Sequence, residues 1–120
     1  MNFLLYGTYI TTQYIFMNLP YGVYILFSEK DQLLYIGYTT NLEKRIDKHN
    51  SGGVPSTAPR RPLKLIFCEY YLFEDDARKR ELYFKTTMGK KAIKLMLSES
   101  LQRLGYKGSL NAKVFEIIHD

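Results

Sequence analysis

Residues 21–37 read YGVYILF, SEKD and QLLYIG in succession, and this stretch decides the fold. Two runs of aliphatic, β-branched and aromatic residues flank a short charged segment, which predicts a β-hairpin with a loop of four or five residues. Because alternate residues of a strand share a face, Gly22 lies beside Tyr24, and Tyr35 beside Gly37. A glycine inside a strand marks either a bulge or a close approach to the backbone. Two facing Gly/Tyr pairs favour a functional site.

The composition is that of a small basic domain. The 120 residues carry a net charge of +5 at pH 7, with 17 Lys and Arg against 12 Asp and Glu. This length suits one domain that buries its own core, and the single cysteine, Cys68, excludes an internal disulfide. Because Cys68 stands in an apolar run, we expect it to be buried and unreactive. Without Cys/His clusters zinc is disfavoured, whereas the positive charge favours a nucleic-acid partner.

The positive charge is concentrated late in the chain. Seven basic residues and a single acid, Glu81, fall between positions 78 and 94. Long basic side chains are good helix formers and also bind phosphate, so this segment fits a solvated helix surface and a nucleic-acid contact equally well. The candidate nucleic-acid contacts here are Arg78, Lys85, Lys90 and Lys91.

Residues 1–20 are apolar and uncharged, but polar residues interrupt them. They contain no run of about 18 apolar residues and follow no basic segment, so we expect a cytoplasmic protein without membrane contact. We favour a loosely ordered extension over residues 1–20, a domain over residues 21–105 and a tail over residues 106–120. Alternatively, the first residues precede the natural start, because Met17 stands just before the hairpin.

A helix is predicted directly after the hairpin, with Thr40 or Asn41 as its N-cap and an end near Asn50, before two glycines. Its inward stripe, at helical spacing, consists of Leu42, Arg45, Ile46 and His49. A lone inward histidine is more often a satisfied core residue than a catalyst. Arg45 and His49 together, one turn apart, indicate an anionic partner instead, because an unpaired buried charge is costly.

Residues 51–62, SGGVPSTAPRRP, have the composition of a loop. Arg60 and Arg61 near its end fit a phosphate contact, and a solvated loop is an equally good interpretation. The apolar run over residues 63–71 then predicts a third strand that pairs with the hairpin to complete a small sheet.

The second helix is predicted to begin at an Asp75 cap, where acids suit the positive end of the helix dipole. Its stripe consists of Ala77, Glu81, Phe84 and Met88. Glu81 is thus the one acid on an apolar stripe. Either it pairs with Arg78 or Lys85 on the same helix, or it faces the sheet in a functional role.

Gly89 is predicted to separate the second helix from a third, which runs over residues 90–104 and ends at Gly105. The stripe of this third helix consists of Ile93, Leu97, Leu101 and Leu104. The remaining segment forms either a short strand or a loose end.

This order of elements, β-β-α-β-α-α, predicts an α+β fold with a three-stranded antiparallel sheet flanked by helices. The chain resembles the GIY-YIG nuclease superfamily, most closely small stand-alone proteins similar to the nuclease domain of the DNA-repair excinuclease. Residues 22–24 (GVY) and 35–37 (YIG) stand where the family has its two signature triplets. Residues 38–45 resemble the family's first helix with its arginine, residues 49–53 its continuation, and Arg80-Glu81 the segment with its metal-binding glutamate.

The resemblance implies an endonuclease that cuts phosphodiester bonds in DNA, structured or damaged duplex above all, with one divalent metal. Glu81 would hold the metal, Mg²⁺ or Mn²⁺, because a lone carboxylate suits an ion that keeps several waters. Arg45 would hold phosphate oxygens as charge develops. Tyr24 would take a proton from the attacking water beside Tyr35, with its pKa lowered by Arg45 or the metal. His49 is the alternative base.

Two further expectations accompany the resemblance. Gly22 and Gly37 would let the nucleic-acid backbone approach the sheet. Several family enzymes carry an asparagine a few turns after the glutamate, and residues 90–94 contain none. A nucleic-acid-binding module with a weak or inactive nuclease site is therefore the alternative function.

Overall fold

The computed structural model describes residues 2–5, 8–11 and 19–108, with side chains for residues 19–108. The strands are β1 (Asn2–Leu5), β2 (Thr8–Thr11), β3 (Tyr21–Ser28), β4 (Leu34–Thr39) and β5 (Leu63–Tyr71). The helices are α1 (Leu42–Asn50), α2 (Glu74–Phe84), α3 (Thr87–Met96) and α4 (Ser98–Leu104), with a short 3₁₀ helix at Ala58–Arg60.

The central sheet has the strand order β4-β3-β5, and both pairs of neighbouring strands are antiparallel. This confirms the predicted three-stranded antiparallel sheet and the α+β class. Tyr24 of β3 lies opposite Gly37 of β4, so the two signature triplets face each other across the hairpin. The hairpin loop covers residues 29–33, and the Ser28 hydroxyl accepts hydrogen bonds from the backbone N–H groups of Lys30 and Asp31.

The two faces of β3 bury different sets of residues, as the predicted alternation requires. Val23 and Ile25 pack against α2 and α3 through Ala77, Phe84 and Ile93. The opposite face packs against α1 and the start of β5, and its residues are Tyr24, Leu26, Leu63, Tyr35, Leu42 and Ile46. The site residues of β3 and α1 therefore meet on this second face.

The cap predicted for α2 is wrong. The helix begins at Glu74 after Phe73, and Asp75 lies inside its first turn, where its charge still suits the helix dipole. The predicted break at Gly89 is also wrong, because α2 ends at Phe84 and Gly89 lies in the first turn of α3. Met88, assigned to the inward stripe of α2, is 63% exposed.

The predicted third helix is two helices that meet at Leu97, which is the C-cap of α3 and the N-cap of α4. No proline or glycine marks this junction, so the periodicity alone could not locate it. Gly105 ends α4 in the left-handed conformation at φ 76°, which confirms the predicted stop.

Cys68 is exposed, and the expectation that it would be buried is wrong. It lies on β5, an edge strand, where one face can remain open to solvent. Partial burial of the thiol raises the pKa of Cys68, so the side chain stays protonated and a poor nucleophile.

The chain ends fall largely outside this description. β1 and β2 pair antiparallel as a separate two-stranded sheet. The other residues of the predicted extension (1, 6–7 and 12–18), and the tail from residue 109, lie outside the described residues. The first part of the tail is tied to the hairpin loop, because the Lys107 N–H donates to the Gln32 carbonyl at 2.9 Å. Within the described part of the chain, no helix has both the length and the apolar character needed to cross a membrane.

Candidate active site

Four side chains form a continuous hydrogen-bonded chain beneath α1. The Nε of Arg45 donates to the Tyr24 hydroxyl at 3.2 Å. That hydroxyl lies 2.7 Å from Nε2 of His49, and Nδ1 of His49 lies 2.7 Å from the Thr57 hydroxyl. Thr57 in turn donates to the Val54 carbonyl at 3.4 Å. The structure thus brings the predicted Tyr24, Arg45 and His49 together.

Local structure holds each member of this chain. Asn41 caps α1 by accepting from the backbone N–H of Lys44 at 3.1 Å, as predicted. The cap sets the start of α1, so Arg45 and His49 face β3 one turn apart. The loop after α1 then turns back, because the Thr57 N–H bonds the Val54 carbonyl at 3.0 Å. This turn carries Thr57 beneath His49.

The members of the chain differ in their access to solvent. Tyr24, His49 and Thr57 are all 0% exposed. Arg45 and Tyr35 are half-buried and reach the surface. A phosphate group can therefore reach Arg45 directly, whereas the hydroxyl of Tyr24 is covered in this conformation.

Burial also sets the proton positions. It raises the pKa of Tyr24, although the Arg45 hydrogen bond acts in the opposite direction. Burial, with the positive charges of Arg45 and Lys48, lowers the pKa of His49 to about 4. The expectation that Arg45 would lower the pKa of Tyr24 overall is wrong, because desolvation outweighs the cation. At neutral pH Tyr24 keeps its proton and His49 is a neutral imidazole.

Tyr35 completes the aromatic wall of the site. Its ring centroid lies 5.1 Å from that of His49 and 6.3 Å from that of Tyr24. Gly37 makes room for this packing, since a Cβ there would lie 2.2 Å from the ring of Tyr24. A Cβ at Gly22 would lie 3.3 Å from the ring of Tyr70. In this structure, a tyrosine ring occupies the space above each glycine.

Glu81 of α2 is the acid nearest in role to the predicted metal ligand. Its side chain is 14% exposed and pairs with Lys85 at 3.1 Å and with Arg78 at 3.8 Å. Both intrahelical partners considered from the sequence are therefore present. The negative charge of Glu81 also contributes to the raised pKa of Tyr24, after burial and nearer groups. Glu81 thus acts electrostatically on the hydrogen-bonded chain.

The donor set suits only certain metals. Among residues 19–108, no three His, Cys, Asp or Glu side chains form a cluster that could enclose an ion. A single carboxylate with water and phosphate oxygens matches Mg²⁺, which is usually bound in this way. The residues present therefore fit Mg²⁺ held between Glu81 and a substrate phosphate.

The predicted basic contacts fall into two groups. Arg60 is bound twice to the Asp31 carboxylate, at 2.5 and 3.2 Å, so it stabilises the hairpin loop. The guanidinium of Arg78 lies 3.7 Å above the ring of Tyr38. Arg61, Lys85 and Lys90 are exposed, whereas Lys91 is half-buried. Arg61 and Lys30 line a groove of about 750 Å³ beside the 3₁₀ helix.

Two residues of this region escape prediction from the sequence. Thr57 stands in an irregular loop whose composition carries no periodic signal. Asp31 was assigned only to the turn, although a turn acid followed by a loop arginine is a charge pair that could have been considered. Both act through tertiary contacts that no local pattern encodes.

Comparison with known proteins identifies the fold's relatives. A family model described as the GIY-YIG catalytic domain matches residues 20–94. The UPF0213 protein CPE1444 of Clostridium perfringens is 40% identical over 90 residues, which cover 74% of this chain and 96% of that protein. The UPF0213 protein YazA of Bacillus subtilis is 44% identical over 63 residues, covering 52% of this chain and 64% of that protein. No solved structure gives a significant match.

Proposed function

The chain belongs to the GIY-YIG family, and we propose on that premise that it is a metal-dependent endonuclease that hydrolyses phosphodiester bonds in DNA. The matched domain implies a nuclease-type function and a nucleic-acid substrate. Structured or damaged duplex is the proposed substrate, and DNA repair the proposed context.

The observation that carries this proposal is the partly exposed Arg45 guanidinium, which Tyr24 holds from below through Nε at 3.2 Å. This contact uses Nε and leaves the terminal amino groups of the guanidinium for other oxygens. A planar, permanently charged group of this kind binds two phosphate oxygens at once and stabilises the charge that develops on them. Arg45 therefore binds and orients the scissile phosphate.

Proton transfer falls to the pair behind Arg45. The Tyr24 hydroxyl lies 2.7 Å from Nε2 of His49, so a proton taken up by Tyr24 can be matched by loss of its own proton to His49. Because Tyr24 is fully buried, substrate binding must open its hydroxyl to the attacking water. Tyr35 borders this opening, and its hydroxyl can hydrogen-bond the same water.

Glu81 would hold Mg²⁺, with Mn²⁺ as a substitute of similar ligand preference. When bound there, the ion would polarise the phosphate and stabilise the leaving oxygen. Lys85 and Arg78 neutralise the Glu81 carboxylate in the described state, at 3.1 and 3.8 Å. A metal must therefore compete with these two cations.

The test is cleavage of labelled DNA by the purified protein, on duplex, nicked, flapped and single-stranded substrates, with Mg²⁺, Mn²⁺ or EDTA. We expect cleavage in the presence of metal, and a loss of about a hundredfold or more in Glu81→Gln, because a group that stabilises developing charge is removed. Glu99→Gln is the matched control, since Glu99 pairs with Arg103 on the surface of α4.

A binding module with an inactive site is the second candidate. It is favoured by the 0% exposure of Tyr24 and by the ion pairs that occupy Glu81. Under this alternative, the protein binds the DNA panel, but neither Mg²⁺ nor Mn²⁺ produces cleavage, and Glu81→Gln binds as well as the parent. Metal-dependent cleavage that persists undiminished in Glu81→Gln would contradict both the proposed metal ligand and the proposed mechanism.

A further inference from the structure

The hydrogen-bonded chain from Arg45 to Thr57 admits one direction of donation when it is followed from the arginine. A guanidinium can only donate, so the Tyr24 oxygen accepts from Nε of Arg45. Tyr24 then has its own hydrogen available for Nε2 of His49, 2.7 Å away. In a neutral imidazole the other nitrogen carries the hydrogen, so Nδ1 of His49 is protonated.

The opposite end of the chain gives the same answer independently. The Val54 carbonyl can only accept, so the single hydrogen of the Thr57 hydroxyl points to it, at 3.4 Å. The Thr57 oxygen is then an acceptor for Nδ1–H of His49, at 2.7 Å. Both ends require the Nδ1–H tautomer. With this assignment, the described residues contain no buried side-chain nitrogen or oxygen without a partner.

We propose that Thr57 is a positioning residue: its hydroxyl fixes the Nδ1–H tautomer of His49, which fixes the Tyr24 hydroxyl as an acceptor for Arg45 and so holds the guanidinium in place. The effect on cleavage rests on the proposed nuclease function, whereas the tautomer does not. Thr57 lies 0% exposed and touches no substrate, so it acts only through His49.

The surroundings of His49 support a neutral ring. Arg45 and Lys48 face it from α1, Tyr24 from β3 and Tyr35 from β4, so the charged neighbours are cations and the tyrosines are neutral. A protonated His49 would present Nε2–H to Tyr24 while Arg45 also donates to it. The Tyr24 hydrogen would then lose its acceptor inside the protein, which is costly.

Replacing Thr57 with valine removes the hydroxyl and keeps the shape. His49 Nδ1–H would then be buried without an acceptor, so the Nε2–H tautomer becomes the better choice. In that tautomer His49 donates to Tyr24, and the arrangement that holds Arg45 is lost. Thr57→Ser restores the hydroxyl and should restore the tautomer.

The direct measurement is the tautomer of His49 by nitrogen NMR at pH 7, with the signal assigned through His49→Gln. We expect Nδ1–H in the parent protein and in Thr57→Ser, and an increased Nε2–H population in Thr57→Val. Thr87→Val is the matched control, because Thr87 is exposed at the start of α3. Nε2–H in the parent protein would overturn the proposal even if Thr57→Val failed to fold.

Two readouts then follow the effect to Arg45. Hydrogen exchange of Arg45 Nε–H should be slow in the parent protein and faster in Thr57→Val. In the cleavage assay, Thr57→Val should lower kcat by about tenfold or more, since small misplacements of a catalytic group are costly, and Thr57→Ser should restore it. Unchanged exchange and kcat in Thr57→Val would overturn the positioning role. An Nδ1–H tautomer in a protein that cleaves no substrate would contradict the proposed function and leave this assignment intact.

Discussion

Tyr24 and His49 share one hydrogen bond of 2.7 Å inside the protein, and their pKa values shift in opposite directions. Burial raises the pKa of Tyr24 and lowers that of His49 to about 4, because both groups are neutral in the state that burial favours. Proton transfer from Tyr24 to His49 creates an ion pair, which costs energy in this setting. Arg45 reduces that cost, since its positive charge lies beside the oxygen that would become negative.

His49 should make the stability of the protein depend on pH. Its pKa is about 4 in the folded state and near 6.5 in the unfolded chain, so the unfolded state binds the extra proton between these values. Stability contributed by neutral His49 is therefore present above pH 6.5 and is lost as the pH falls toward 4. Between pH 7.5 and pH 5 we expect the free energy of unfolding to fall by roughly 2 kcal/mol, measured by urea denaturation.

His49→Gln provides the comparison, because it retains a polar side chain without a titrating ring. Its own stability is lower, but the fall in free energy of unfolding between pH 7.5 and pH 5 should be much smaller than in the parent protein. A parent protein equally stable at both pH values would contradict the lowered pKa, as would an equal fall in His49→Gln.

The spacing of residues on α1 is enough to identify Arg45 and His49 from the sequence alone, because helical periodicity places them on one stripe. Their partner Thr57 could not be predicted, since it reaches His49 through an irregular loop held by a backbone bond to Val54. The net effect on the Tyr24 pKa could not be predicted either. Its sign depends on burial, and burial is a property of the packed fold.

At the scale of elements, Gly89 has a different purpose from the one its sequence position indicates. It lies inside α3, where its backbone N–H donates to the Thr86 cap at 3.0 Å. A Cβ at this position would lie 1.8 Å from the Tyr83 carbonyl oxygen and 2.7 Å from the Phe84 Cα. The end of α2 therefore lies directly against the start of α3, and glycine permits this contact.

We predict that Gly89→Ala destabilises the protein by about 2 kcal/mol or more, because backbone atoms cannot move aside as a flexible side chain can. Helix propensity alone predicts the opposite sign, a gain of about 1 kcal/mol. Denaturant unfolding measures the difference. Gly53→Ala is the control, since the nearest obstacle there is the flexible Lys48 side chain, at 2.9 Å. A stabilised Gly89→Ala would show that α2 and α3 can separate without cost.

Element boundaries were the least predictable feature of the helical half. The end of α1, before Gly52 and Gly53, and the end of α4, at Gly105, were predicted, because glycine marks both. The junction between α3 and α4 at Leu97 has no such mark, and the break before α3 depends on the Thr86 cap. A polar cap is a weaker signal than a glycine, and here the nearby Gly89 drew the prediction to the wrong residue.

For the molecule as a whole, the distribution of paired and unpaired charge matters more than the net charge of +5. Arg60, Arg80 and Arg103 are committed to Asp31, Glu69 and Glu99, respectively, so these cations stabilise the fold. Among the ion pairs of the described residues, none involves Lys90 or Lys91 of α3. These two lysines can therefore release counterions when they contact phosphate. The sequence predicted a basic surface but could not distinguish paired from unpaired cations.

DNA binding should accordingly depend on salt through α3. Each phosphate neutralised by a lysine contributes about 0.9 to the slope of log K against log salt concentration on duplex DNA, so the Lys90→Gln, Lys91→Gln double variant should lower the magnitude of that slope by nearly 2. Fluorescence anisotropy with duplex DNA over a series of salt concentrations measures it. Arg103→Gln also removes one positive charge, but from the Glu99 pair, and its slope should match that of the parent protein. An unchanged slope in the double variant would remove α3 from the DNA-binding surface, and equal losses in both variants would indicate an effect of net charge alone.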